Sequence, residues 1–271
     1  MLVDTHTHFY DEWLLPDAEA AIQRALEAGV GKMIQADVDS AERPRMWEIG
    51  LRHPGVLFQM LGLYPGSVTA DNWKEELDAV YRIAAGDSLA SLGMTGTTPG
   101  MTGIVAIGEI GLDYHEGKEF AREQKEVLRL QFELAAKLNL PVNIHLRDAW
   151  EDFFSVLEDC RHLHLRGNLH CFSGSFEVYE RANRSGDFAV GIGGVLTFKN
   201  ASLPAVVARI PAEHLLLETD APYLAPVPYR GKRNESAYLP LVAARLAEVK
   251  GLSLKEIETI TTDNAIRLFN L

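Results

Sequence analysis

Cysteine is scarce: Cys160 and Cys171 are the only two in 271 residues. Two thiols cannot build a disulfide framework, and they are not paired at a zinc-finger spacing. Such usage fits a reducing, intracellular setting. Long apolar runs are lacking too. None approaches the ~18 residues a membrane-spanning helix requires, so no membrane part is expected. The first residues enter a strand at once, with neither the basic nor the apolar stretch of a secretory signal, and a cytoplasmic location is expected. Basic residues are outnumbered: 26 Lys and Arg stand against 38 Asp and Glu, a net charge of −12. That balance excludes a broad, non-specific polyanion binder, whose footprint would be basic. It leaves room for an enzyme that grips a few phosphates locally. Solenoid-type repeats and low-complexity tracts are also missing.

What is present is ordinary globular composition, 47% hydrophobic and 24% charged, with length enough for one large core. Segments alternate in type. Strand signals fall at Val3–Thr5, Lys32–Ala36, Val56–Leu63, Ile104–Ile107, Pro141–His145, Leu163–His170, Phe188–Ile192 and Leu215–Asp220. Helical spacing marks Asp17–Ala28, a stretch from an N-cap at Ser40 to His53, Trp73–Ala85, Lys118–Leu138, Ala149–Cys160 and two segments at the end, Tyr238–Lys250 and Leu254–Leu268. Residues Gly86 to Gly103 are rich in Gly, Ser and Thr, lack any period and read as a flexible insertion before the fourth strand. Eight strands, most followed by a helix, predict an α/β fold. The expected form is a single (β/α)₈ TIM-type barrel over residues 1–271. The rival, an open doubly wound sheet, would want a Gly-rich phosphate turn after the first strand. His6 and His8 stand there instead.

A barrel gathers its active site at the C-terminal ends of its strands. Ionisable residues recur at those ends: His6 and His8 after strand one, Glu109 after four, His145 after five, His170 after six, Asp220 after eight. Any one of them alone is a polar strand end. Together they are nitrogen and carboxylate donors at equivalent positions, the pattern of a metal site. Two cations roughly 3.5–4 Å apart need a bridging carboxylate and terminal ligands on each side. Glu109, midway round the barrel, suits the bridge. Strands one and eight adjoin when the sheet closes, so His6, His8 and Asp220 would hold one ion, and His145 with His170 the other. Water shared between the ions would become a hydroxide-like nucleophile, and Asp220 could take its proton, so that Asp220 and Glu109 are the candidate catalytic residues. The donors accept Mg²⁺, Mn²⁺, Zn²⁺ or Ni²⁺.

Several stretches resemble, in order, the motifs of the TatD family of metal-dependent hydrolases, within the amidohydrolase-like barrel group. They are Asp4-Thr5-His6-Thr7-His8, Ile107-Gly108-Glu109-Ile110-Gly111-Leu112-Asp113, Asn143-Ile144-His145, Leu169-His170-Cys171-Phe172-Ser173-Gly174, Glu218-Thr219-Asp220-Ala221-Pro222-Tyr223-Leu224 and Tyr229-Arg230-Gly231-Lys232-Arg233-Asn234-Glu235. The resemblance spans essentially the whole chain outside the insertion. It implies a divalent-metal hydrolase, usually a deoxyribonuclease cutting phosphodiester bonds in a 3'-5' exonuclease-like manner, and the ligand roles given above. DNA, as single strands or ends, is the implied partner, and a monomer is expected. The same barrel and ligand set also run amidohydrolase chemistry on C–N or ester bonds, of a small molecule or an aminoacyl-tRNA. One departure keeps that alternative open. Where the family commonly has Gly-aliphatic-His-Pro-His after strand three, this chain has Gly62-Leu63-Tyr64-Pro65-Gly66.

Around the ligands, Arg230, Lys232 and Arg233 form a compact basic loop, the candidate phosphate clamp in so acidic a chain. Arg147 could reach a phosphate, and Tyr64 could stack on a base. Glu218, two residues before Asp220, would orient a ligand histidine. Cys171 is expected to point away from the site.

Overall fold

The computed structural model describes residues 1–87, 103–115 and 118–271. Most of the expected 86–103 insertion lies outside the described residues. The strands are β1 (Leu2–Thr7), β2 (Val30–Gln35), β3 (Leu57–Leu61), β4 (Ile104–Asp113), β5 (Val142–Arg147), β6 (Arg166–Leu169), β7 (Asp187–Ile192) and β8 (Leu215–Leu217). They form one 8-stranded parallel sheet in sequence order. The sheet curls until its ends meet. Asp220 N donates to His6 O at 2.9 Å, His8 N donates to Ala221 O at 2.8 Å, and Thr7 bridges Ala221 in parallel. The fold is the (β/α)₈ barrel that the alternation predicted.

The helices are α1 (Ala18–Glu27), α2 (Arg43–Arg52), α3 (Trp73–Ala84), α4 (Ala121–Leu138), α5 (Trp150–Asp159), α6 (Phe176–Ala182), α7 (Leu203–Arg209), α8 (Leu239–Lys250) and α9 (Leu254–Phe269). Their apolar stripes pack on the outside of the sheet. In α4 the buried set Val127, Leu128, Gln131, Phe132, Leu134 and Ala135 repeats every three to four residues, as a helix covering a sheet requires. Phe132, Phe153, Phe188 and Trp47 are completely or almost completely buried in this layer. A second cluster joins Val3, Ile34, Met60, Ala106 and Leu216, and α9 adds Ala265 and Phe269 to it. Among the described residues no helix is long and apolar enough to cross a membrane.

Several expected boundaries shift, β8 among them, which stops at Leu217 and leaves Asp220 on the turn beyond it. β4 runs on to Asp113, so Glu109 sits within the strand, not after it. β6 begins only at Arg166 because Arg161–Leu163 winds into a 3₁₀ turn. Ser40 does not cap α2, which starts at Arg43 without a side-chain cap. Its hydroxyl instead bonds Glu76 Oε1 at 2.7 Å, trading a local cap for a link to α3.

Candidate metal centre

The two-residue period of an extended chain places His6 and His8 side by side, and the barrel seam brings Asp220 to them. Their Nε2 atoms stand 3.1 Å apart, and Asp220 Oδ1 lies 3.7 Å from His6 Nε2 and 3.4 Å from His8 Nε2. Glu109 Oε2 faces the same pair, at 3.3 Å from His6 and 3.8 Å from His8. The other oxygen, Oε1, lies 2.9 Å from His145 Nδ1 and 3.9 Å from His170 Nε2. Asp220 Oδ1 reaches His170 Nε2 as well, at 3.6 Å. All six sequence candidates therefore converge on one spot. The His170 ring also stacks on the His6 ring, with centroids 3.5 Å apart and planes 14° apart. His170 therefore groups with His6 and Glu109 more closely than with His145, whose ring centroid is 6.2 Å away, and the expected pairing of His145 with His170 is the looser one.

Each imidazole is held from behind. His6 Nδ1 lies 2.9 Å from Asn143 Oδ1. His8 Nδ1 lies 2.9 Å from the hydroxyl of Tyr10, which itself donates to Ala36 O at 2.6 Å and so can only accept from the ring. His145 Nε2 lies 2.9 Å from Asp113 Oδ2. His170 Nδ1 lies 2.9 Å from Glu218 Oε1, off the line of an ideal hydrogen bond. Glu218 thus stands against the His170 ring on its Nδ1 side. It is fully buried, and Gly191 makes room for it, since a Cβ there would lie 1.9 Å from Glu218 Oε2. Its carboxylate also accepts from Cys171 N at 2.5 Å and from Asn168 Nδ2 at 3.2 Å. Cys171 does not turn away as expected: a positive φ of 45° sets its thiol within ligand-cluster distance of His170 and Glu218.

These contacts test whether the residues suit a cation. With Nδ1 of His6 and His8 both engaged as donors, both Nε2 atoms carry lone pairs, and they point at each other. Two lone pairs at 3.1 Å repel unless a positive charge lies beside them. Buried carboxylates meet the same spot. A divalent cation satisfies all of these groups at once, and His, Glu and Asp are its usual donors. Without a cation, protons substitute. Burial pushes the Glu109 carboxyl up, yet His6, His145 and His170 outweigh it and hold the group well below its ordinary range. Burial disfavours protonating His145, but Asp113 and Glu109 prevail and push it up to about 9. His170 is pushed up to about 10 by Glu218 and Asp220 against the same desolvation.

A cavity of about 430 Å³ opens over the centre, lined by His8, Glu109, His145, His170 and Asp220 together with Tyr10, Tyr64 and Tyr223. Tyr64 is part of this lining, and the four basic candidates are not. Arg233 is tied to Asp17 and Glu235, at 2.5 and 2.6 Å, and to Trp13 O. Arg230 lies over the Phe198 ring, and neither these two nor Lys232 or Arg147 lines the cavity. The cation that does is Arg45 on α2, next to Glu42, with Asp11 and Glu12 on the same rim.

Sequence reading missed Tyr10, Asp113, Asn143 and Arg45. Two of them carried a signal: Asn143 is two residues before His145 on β5, and Asp113 four after Glu109 on β4, even spacings that put a side chain on the face of its ligand neighbour. Tyr10 follows His8 by two residues but lies in a turn beyond β1, where that period does not hold. Arg45 had no such signal, because it comes from a helix.

A profile of the family described as TatD related DNase matches residues 3–270. The "Uncharacterized metal-dependent hydrolase YabD" of Bacillus subtilis (strain 168) is 38% identical over 272 aligned residues, 100% of each chain. A protein of Erwinia tasmaniensis named "3'-5' ssDNA/RNA exonuclease TatD" is 33% identical over 261 residues, 94% of each. The crystal structure of YjjV, a TatD homologue from Escherichia coli K12, superposes with a TM-score of 0.84 at 29% identity, over 100% of this chain and 98% of that one. Matched along nearly its whole length, the chain belongs to the TatD-related DNase family and is a metal-dependent hydrolase.

Proposed function

We propose that the protein is a two-metal phosphodiesterase that trims single-stranded DNA or RNA from the 3' end. The observation that carries this reading is the split of Glu109, one oxygen toward His6 and His8 and the other toward His145 and His170. Such a carboxylate suits a bridge between two divalent ions, with Asp220 completing the first group. When bound, the ions supply Lewis acidity and lower the pKa of water toward neutrality.

The chain's own residues do the rest. Asp220 is the least buried carboxylate of the cluster, with its side chain 16% exposed, and it faces the cavity. It accepts the proton of the attacking water and returns it to the leaving oxygen. Tyr64 and Tyr223 offer ring faces for a terminal base, and Arg45 offers a donor for a phosphate. A cavity of about 430 Å³ suits one strand end better than a duplex. The Erwinia relative's name supports the substrate class. We place the enzyme in the cytoplasm, acting as a monomer.

One observation favours a second substrate class. Asp11, Glu12 and Glu42 ring the mouth against the single Arg45, a charge pattern that suits a less anionic ester or amide. The test is a 5'-labelled single-stranded oligonucleotide incubated with chelator-stripped protein and added Mn²⁺ or Mg²⁺. A ladder shortening from the 3' end, abolished in Glu109→Ala, is the expected result. An intact oligonucleotide alongside turnover of lactones, amides or aminoacylated tRNA would transfer the site to the second class.

A further inference from the structure

Where the family resemblance led to two histidines, this chain has Tyr64 and Gly66, and the structure shows the two positions to be coupled. A Cβ on residue 66 would lie 2.4 Å from Tyr64 Cε1 and 3.1 Å from Cδ1, so the ring lies across bare backbone that only glycine leaves free. The seat is fixed from both sides. Tyr64 N donates to Val38 O at 2.9 Å, and Pro65 starts a single 3₁₀ turn, Pro65–Ser67.

From that seat the side chain makes two contacts with the same half of the centre. Its hydroxyl donates to Asp113 Oδ2 at 3.4 Å, the oxygen that also accepts from His145 Nε2 at 2.9 Å. Its ring meets the His145 imidazole edge-on, with centroids 5.0 Å apart and planes at 79°. Asp113 holds a proton on His145 Nε2, so Nδ1 is the nitrogen turned to Glu109 Oε1 at 2.9 Å, and it is the one that would give up its proton and offer a lone pair to a cation there. The ring contact then sets the rotation of the imidazole about its own axis.

We propose that Tyr64, seated by Gly66, is a positioning residue for His145: through Asp113 and through its ring it holds His145 Nδ1 toward Glu109, and so sets the affinity of the cation on that side. This rests on the two-metal reading above.

The test is Mn²⁺ titration of the chelator-stripped full-length protein by calorimetry, a readout that needs no substrate. Tyr64→Phe, which keeps the ring, is expected to weaken one of two ions about ten-fold, the lower end of what losing an outer partner costs. Gly66→Ala, which keeps the hydroxyl but displaces the ring, is expected to weaken the same ion at least as much. The double variant Tyr64→Phe/Asp113→Ala is expected to bind no more weakly than Asp113→Ala alone, because both act through one path. A purely structural role would not produce that non-additivity. Wild-type binding in both Tyr64→Phe and Gly66→Ala overturns the inference, as do losses that multiply in the double variant. His145→Ala separates the two readings. If it loses one ion while Tyr64→Phe loses nothing, the positioning role fails and the metal reading stands; if it binds both ions like wild type, both readings fail.

Discussion

Glu109 Oε1 sits 2.9 Å from His145 Nδ1 while Glu109 Oε2 sits 3.3 Å from His6 Nε2. One carboxylate thus faces imidazoles on opposite sides of the barrel mouth, and the order of the centre depends on what lies between them.

Bound cations will stabilise the folded chain, because the unfolded chain lacks the six-residue cluster. At a free concentration of 100 times Kd the gain is about 2.7 kcal/mol. Thermal unfolding with rising Mn²⁺ or Zn²⁺ should show a melting temperature that climbs with concentration. His8→Ala should flatten that dependence, and an unchanged slope would remove His8 from the ligand set.

Cation affinity will rise with pH. His145 and His170, pushed up to about 9 and about 10, are protonated in the metal-free protein at neutral pH, and a cation must displace those protons. Each displaced proton makes the apparent affinity climb about ten-fold per pH unit below those values. Calorimetry in buffers of different ionisation heat, between pH 6 and 8, measures the protons released. For the metal-free protein the raised histidine values have the opposite consequence. Their stabilisation is fully present below the ordinary value of 6.5 and fades as pH rises through about 9 to 10.

The loop carrying Tyr64 hangs on a buried ion pair. Arg43 Nε meets Asp37 Oδ2 at 2.6 Å with both side chains almost fully buried, and the pair clamps Gly62, whose N donates to Asp37 and whose O accepts from Arg43 Nη2. Burial pushes Asp37 up to about 6, partly offset by Arg43. Removing one partner strands the other. Arg43→Ala should destabilise the protein by about 3–5 kcal/mol in urea unfolding, and a loss under 1 kcal/mol would contradict the clamp.

Substrate phosphate should be sensed by Arg45 and not by the basic loop. Arg45→Ala removes the cation on the cavity wall and should raise KM for an oligonucleotide about ten-fold or more, the equivalent of a charge-assisted hydrogen bond of roughly 1.5–3 kcal/mol. Lys232→Ala, outside the cavity, should leave KM unchanged. The reverse result would return the phosphate clamp to the loop after β8.

The sequence by itself determined the alternation of strand and helix, the barrel, and the six candidate donors His6, His8, Glu109, His145, His170 and Asp220. Strand-end positions and two-residue spacing are local properties of the chain. It also marked Tyr64 and Gly66 as unusual, but not that a ring at 64 requires bare backbone at 66. The tertiary structure decided what distances decide. Packing inside the mouth stacked His170 on His6, which no spacing along the chain encodes. It drew Arg233 into an ion pair with Asp17, 216 residues away. On the cavity wall it put Arg45, from a helix whose own pattern speaks only of a solvated face. The reason is the same in each case: periodicity fixes the face a side chain takes on its own element, and only packing between elements fixes its neighbour.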